Sequence, residues 1–211
     1  MDKIIIVGYG GHSKSMVDAI ETSGEYEIVG FVDKDMKRLS PYRGYSVIGT
    51  DDDYEDLYNS GIRFACIGIG HVGQGDLREH LFSKLTRIGF SIPTIVDPTA
   101  VMATDVIIGD GCFIGKNAVV NSEARIGGLS IINTAAIVEH ECVIGSNTHI
   151  AVATTLCGGV HIGDRCFIGA NSTIVQGIRI CDETIVGGGS VVINNIEQSG
   201  TYVGVPARKV K

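Results

Sequence analysis

Ile162-Gly163-Asp164-Arg165-Cys166-Phe167, followed at once by Ile168-Gly169-Ala170-Asn171-Ser172-Thr173, is the stretch on which the fold turns. Each block of six opens on Ile-Gly and carries a small residue fifth. Read outward in both directions, the same register holds from Val96 to Val192, and all seventeen hexads open on an aliphatic residue or Met102. The fifth position is small or β-branched throughout, as at Cys112, Ala118, Ser130, Cys142, Thr148 and Cys166, and the second is often Gly, as at Gly109, Gly127, Gly145 and Gly187. A six-residue period cannot lay an apolar stripe on an α-helix, whose turn holds 3.6 residues. It fits short strands joined by bends, with the aliphatic and small residues filling a narrow interior and glycines easing the bends. Residues 96–211 are therefore predicted to coil as a β-solenoid, and the register runs to Glu197 without an insertion.

Upstream the pattern changes. Lys3–Val7, Glu27–Val32 and Phe64–Ile69 read as strands; Ser13–Thr22, with Met16, Ala19 and Ile20 at helical spacing, and Gly75–Ile88 read as helices. Strands alternating with helices predict a small parallel sheet covered on both faces, so residues 1–95 form a Rossmann-like α/β domain. More than half of the charged residues fall in this first part.

Composition narrows the function. Glycine is 29 of 211 residues, but proline is only 4 and no Gly-X-Y period exists, so collagen is excluded. The net charge of −7 supplies no basic stripe for nucleic acid or anionic membrane. No apolar run approaches the ~20 residues of a membrane span and no charged-then-apolar leader is seen, which predicts a cytoplasmic protein. Six cysteines without a CxxC pair predict reduced, structural thiols.

The hexad repeat resembles the hexapeptide-repeat acyltransferases, and with it come a left-handed hand and three hexads per coil as expectations. The chain is similar, over its whole length, to the sugar O- and N-acetyltransferase group of that family. Three motifs carry the likeness: the turn Gly8-Tyr9-Gly10-Gly11-His12, the pair His140-Glu141 with His149 nine residues beyond, and the ending Gly204-Val205-Pro206-Ala207-Arg208. The resemblance implies an acetyl-CoA-dependent N-acetyltransferase acting on a nucleotide-linked amino sugar, a UDP-4-amino-4,6-dideoxy sugar for a surface glycan. It further implies a homotrimer with active sites shared between subunits.

His140 and Glu141 occupy hexad positions outside the core stripe. An amine attacking a thioester must shed a proton, which an imidazole can take at neutral pH while a carboxylate orients it. By resemblance, His149, Gly158, Ala170, Gly188 and Gly204–Arg208 line the acetyl-CoA site: His149 meets the thioester carbonyl, the Gly158 N–H faces the oxyanion, and Arg208 with Lys209 is available to phosphates. The residues Gly8, Gly10, Gly11, His12, Asp33, His71 and Asn133 are expected to bind the nucleotide sugar. Ser13 stands where a dinucleotide fingerprint has its third glycine, which argues against NAD. A zinc site is not expected, since no His-x₄-His is present. Two other functions fit the same residues: an O-acetyltransferase of sialic acid or a related nonulosonate, and a non-catalytic solenoid scaffold.

Overall fold

The structure, a computed structural model, describes residues 1–34, 40–72 and 76–211. The chain divides into two compact units, Met1–Gly70 with Asp76–Pro98, and Thr99–Lys211 with the short segment that begins at His71.

In the first unit β1 (Asp2–Val7), α1 (Gly11–Ser23), β2 (Tyr26–Val32), β3 (Val47–Gly49), α2 (Tyr54–Asn59), β4 (Phe64–Ile67) and α3 (Asp76–Ile88) follow one another. The sheet order is β3-β2-β1-β4 and every pairing is parallel. Ile4, Ile5, Ile6 and Val7 are buried, as a central parallel strand requires. Met16, Val17, Ala19 and Ile20 of α1 bury the apolar face that the helical spacing predicts. Two elements escape the sequence reading: β3, only three residues long, and α2, which begins within the acidic run at residues 51–56. The predicted start of α3 at Gly75 lies outside the described residues.

The second unit is a left-handed parallel β-helix. Ile131 pairs with His149, His149 with Phe167 and Phe167 with Ile185, so each coil is eighteen residues, or three hexads. Two-residue strands build three faces. One contains Ile131–Ile132, His149–Ile150 and Phe167–Ile168; a second contains Ile137–Val138, Thr155–Leu156 and Thr173–Ile174; the third contains Val143–Ile144, His161–Ile162 and Arg179–Ile180. First-position aliphatics fill the axis, with Val138, Ile150, Leu156, Ile168 and Ile174 fully buried. Fifth-position hydroxyls add an internal ladder. Thr148 Oγ1 donates to the Gly163 carbonyl at 2.8 Å and accepts from the Cys166 N–H at 3.0 Å. Ser130 does the same one coil earlier, to Gly145 and from Thr148.

Stacking corrects the expected role of the glycines. Every fourth hexad position from Gly111 to Gly189 has a positive φ, whatever its residue: Asn117, Glu123, Leu129, Ala135, Glu141, Ala153 and Arg165 share it with Gly159 and Gly177. The bend is made there. Second-position glycines serve a different need, because a Cβ on Gly127 would lie 2.6 Å from the Ser146 nitrogen and one on Gly163 2.6 Å from the Asp182 nitrogen, in the next coil. Close approach of backbone, and not a left-handed torsion, demands glycine at those positions. The register also ends earlier than the sequence suggests. After Val192 the chain tightens, Ile180 pairing with Ile196 instead of a residue eighteen away, and an antiparallel pair, Gly200–Val203 with Arg208–Lys209, ends the stack.

The two glycine classes separate by mutation. Gly177→Ala, with nothing within 4 Å of the new methyl but a φ of 72°, is expected to cost about 1–2 kcal/mol. Gly163→Ala forces two coils apart and is expected to cost more, about 2–4 kcal/mol, whereas Ala153→Gly relieves a left-handed alanine and is neutral or stabilising by up to ~1 kcal/mol. Chemical denaturation of the three variants checks the ranking, and equal costs at Gly163 and Gly177 would refute it.

Candidate active site

Corner residues of the β-helix line up in columns eighteen apart. His140 and Gly158 share the column between the second and third faces, where the imidazole stacks under the next coil. A Cβ on Gly158 would fall 2.6 Å from both Cε1 and Nε2 of His140, so any side chain there would displace the ring from this position. The bend itself is made by Gly159, φ 67°, whose N–H donates to the His140 carbonyl at 2.9 Å. Gly158 is thus the cradle of His140, a role that the sequence reading, which weighed an oxyanion donor against a bend glycine, did not see.

Glu141 Oε2 lies 3.0 Å from His140 Nδ1, with both side chains more than half exposed. Nδ1 is the donor in this pair, which leaves Nε2, on the ring edge that packs against Gly158, with its lone pair. Glu139 accepts from the His140 backbone N–H at 3.3 Å, so carboxylates hold the residue on both sides.

The neighbouring column, between the first and second faces, gathers the remaining helix residues. Asn133, Ala170 and Gly188 lie on it: the Gly189 N–H donates to the Ala170 carbonyl, and Gly188 packs against that same carbonyl. The terminal segment joins the column at its end, the Gly204 N–H donating to Ser190 Oγ and the Ala207 N–H to the Val191 carbonyl. Arg208 and Lys209 are exposed there. His149 is nearly buried. Its Nδ1 donates to the His71 carbonyl at 2.9 Å, and Nε2 lies 3.1 Å from Asn133 Nδ2, which donates to it. Both ring nitrogens are thereby engaged within the β-helix unit. His71, expected beside the nucleotide crevice, belongs instead with the β-helix unit, its ring 5.7 Å from that of His149.

The first unit carries a crevice of about 200 Å³ at the carboxyl ends of its strands, lined by Gly8, Asp33, Lys34, Asp51, Ile69 and Leu77 among others. Open parallel sheets bind ligands at this edge. Asp33 Oδ2 accepts from the Tyr9 N–H at 2.8 Å, and Ser13 Oγ accepts from the Gly10 N–H at 2.8 Å. Two amides of the turn are thereby committed to side chains of the same unit. A Cβ on Gly10 or Gly11 would meet nothing within 4 Å, so the approach is open. Lys34 and Asp51 were not singled out from sequence. Asp51 was hidden by the unrecognised strand before it; Lys34, one residue beyond Asp33 at a strand end, could have been found.

Burial pushes the Cys142 thiol up to about 11 and the Cys66 and Cys166 thiols up to about 12, so these remain protonated packing groups at neutral pH.

Residues 3–85 match the PglD N-terminal domain, and residues 105–151 and 159–193 the hexapeptide repeat of succinyl-transferase. PerB from Caulobacter crescentus, solved with CoA and GDP-perosamine, is 34% identical over 99% of this chain and 97% of its own, with a TM-score of 0.91. The chain belongs to the hexapeptide-repeat sugar N-acetyltransferases. The acetyltransferase domain of PglB from Neisseria gonorrhoeae is 27% identical, with both chains covered in full and a TM-score of 0.91. WeeI from Acinetobacter baumannii is 26% identical over 99% of each chain, at 0.84. No match is found among the curated protein sequences.

For an acetyltransferase of this family, the cradle makes a sharp expectation. Gly158→Ala should lower kcat by 10²-fold or more, close to the effect of His140→Ala, with nucleotide affinity unchanged. Steady-state kinetics and binding on the same samples check it; a Gly158→Ala enzyme retaining wild-type kcat would sink the cradle.

Proposed function

We propose that the protein transfers the acetyl group of acetyl-CoA to the amine of a nucleotide-linked amino sugar, with His140 as general base. The observation that carries this reading is the His140-Glu141 pair held at 3.0 Å under a glycine that makes room for the ring. The amine attacks the thioester carbonyl, its proton passes to His140 Nε2, and Glu141 stabilises the resulting imidazolium. The coenzyme A thiolate leaves as the tetrahedral centre collapses. A base of this kind is worth 10²–10⁴ in rate, about 3–5 kcal/mol of barrier.

Third-position amides are the natural oxyanion donors. Where they have a partner it is a side chain, as Ser146 N–H to Asp164 and Thr134 N–H to Asn133, so the inter-coil ladder does not use them. The Gly158 N–H is of this class and is assigned to the developing oxyanion, where one such donor is worth about 2.7–4 kcal/mol. The column of Asn133, Ala170, Gly188 and Gly204 offers a track of small residues along the axis for the pantetheine arm, with Arg208 and Lys209 at its phosphate end. His149 acts here through Asn133, whose amide it orients. Gly8, Gly10, Gly11, His12 and Asp33 hold the nucleotide. UDP is the nucleotide implied by the resemblance, and GDP is the one carried by the PerB complex.

Two columns, one with the base and one with the acyl track, flank opposite edges of the second face. That face shows Val119, Ile137, Thr155, Thr173 and Val191 outward, with Val101 64% exposed below them. A homotrimer that covers these faces brings the base of one subunit beside the track of its neighbour.

Mass spectrometry after incubation with acetyl-CoA and a panel of UDP- and GDP-amino sugars is expected to show one acetyl group added to the amine. His140→Ala should lower kcat 10²–10⁴-fold with KM values little changed. Sedimentation at micromolar concentration should give three chains. Acetylation of a free nonulosonate and of no nucleotide sugar would select the O-acetyltransferase instead.

A further inference from the structure

Arg78 of α3 is 1% exposed, the largest of the fully buried side chains. Its Nη1 donates to the Ile67 carbonyl at 3.0 Å and also to the Ile69 carbonyl. These two carbonyls belong to the end of β4 and the turn that follows. That turn packs directly on the glycine-rich turn: a Cβ on Gly8 would lie 2.5 Å from Ile69 Cγ1, one on Gly68 2.6 Å from Ser13 Cβ, and Gly70 packs on His12. The Gly68 N–H donates to the Val7 carbonyl at 2.8 Å, tying the two strand ends together.

Carboxyl ends of parallel strands present carbonyl oxygens, which repel an arriving diphosphate. A guanidinium bonded to those carbonyls cancels their dipoles, and its charge is felt nearby, since it draws the Cys66 thiol down against the rise caused by burial. A neutral side chain of the same length could brace the turn but could not do this.

We propose that Arg78 is a positioning residue for nucleotide binding, acting through the Gly68-Ile69-Gly70 turn to set the Gly8–Ser13 turn and making the end of β4 tolerant of a diphosphate. The inference rests on the nucleotide-sugar reading of the crevice. Its signature is selective: diphosphate affinity depends on Arg78, whereas affinities for the nucleoside and for acetyl-CoA do not.

Isothermal titration of the full chain with UDP and GDP, and with uridine and guanosine, tests it. In Arg78→Gln the preference for diphosphate over nucleoside should fall tenfold or more, and in Arg78→Lys about threefold, because an ammonium keeps the charge but not the two-carbonyl geometry. KM for acetyl-CoA should stay within twofold in both. Equal weakening of diphosphate and nucleoside would reduce Arg78 to a packing residue and overturn the proposal, as would unchanged preference. If Arg78→Gln does not fold, Arg78→Lys decides, and a wild-type preference there overturns it. Wild-type protein that binds neither diphosphate at millimolar concentration overturns the crevice reading itself, and this inference with it.

Discussion

Eighteen-residue stacking is the constraint from which the rest of the β-helix follows. Once residue i sits over residue i+18, two backbones run within hydrogen-bonding distance at every corner as well as along every face. The corners are where side chains compete with main chain for space, so residue type there is decided by the coil above. Gly127 and Gly163 lose their side chains to a neighbouring backbone nitrogen, and Gly158 loses its side chain to the His140 ring. Side-chain placement and backbone stacking are settled by the same contact. That is why an imidazole can be held in place at an exposed corner, where a solvated histidine would otherwise sample several rotamers.

Torsional strain is the counterpart of that stacking. Leu129, Ala135, Ala153 and Arg165 hold left-handed backbone conformations that L-residues adopt at a cost of about 1–2 kcal/mol each. They are kept there by ladders above and below, such as Ala135 N–H to the Lys116 carbonyl at 2.7 Å and Ala153 N–H to the Thr134 carbonyl at 2.9 Å. Glu141 is one of these residues, with φ 58°. The partner of His140 therefore springs from a bend fixed on both sides, and its carboxylate reaches Nδ1 without freedom in its own backbone.

Much of this was legible in the sequence because a period of six is visible without any tertiary information. The aliphatic first position and small fifth position state their own burial, and Cys112, Cys142 and Cys166 explained themselves as interior residues. What the sequence concealed were contacts between residues eighteen or nineteen apart: the cradle role of Gly158 and the division of glycines into two classes. In the first unit, β3 was missed because Val47–Gly49 is too short to alternate, and Asp51 was missed with it. Placement of His71 could not be read at all, since four residues beyond the end of β4 a chain can turn toward either unit.

A strict account of backbone donors explains where each unit can receive an anionic oxygen. Every buried N–H must be matched, and a matched donor cannot also bind a ligand. In the coil, second, fourth and sixth positions donate across the stack, as Gly145, Glu141 and Val143 do, and the fifth either closes its own bend, as Ala136 does on Asn133, or donates to a hydroxyl one coil away, as Cys166 does to Thr148. Third positions are left over, which is where Gly158 stands. In the first unit the Gly8 N–H goes to the Val32 carbonyl, Tyr9 to Asp33 and Gly10 to Ser13, so the donors begin at Gly11. Ser13, where a dinucleotide fold has glycine, is then not a degraded fingerprint. Its hydroxyl accepts from the Gly10 amide at 2.8 Å and donates back to the Gly10 carbonyl at 2.7 Å, closing the first turn of α1 on itself.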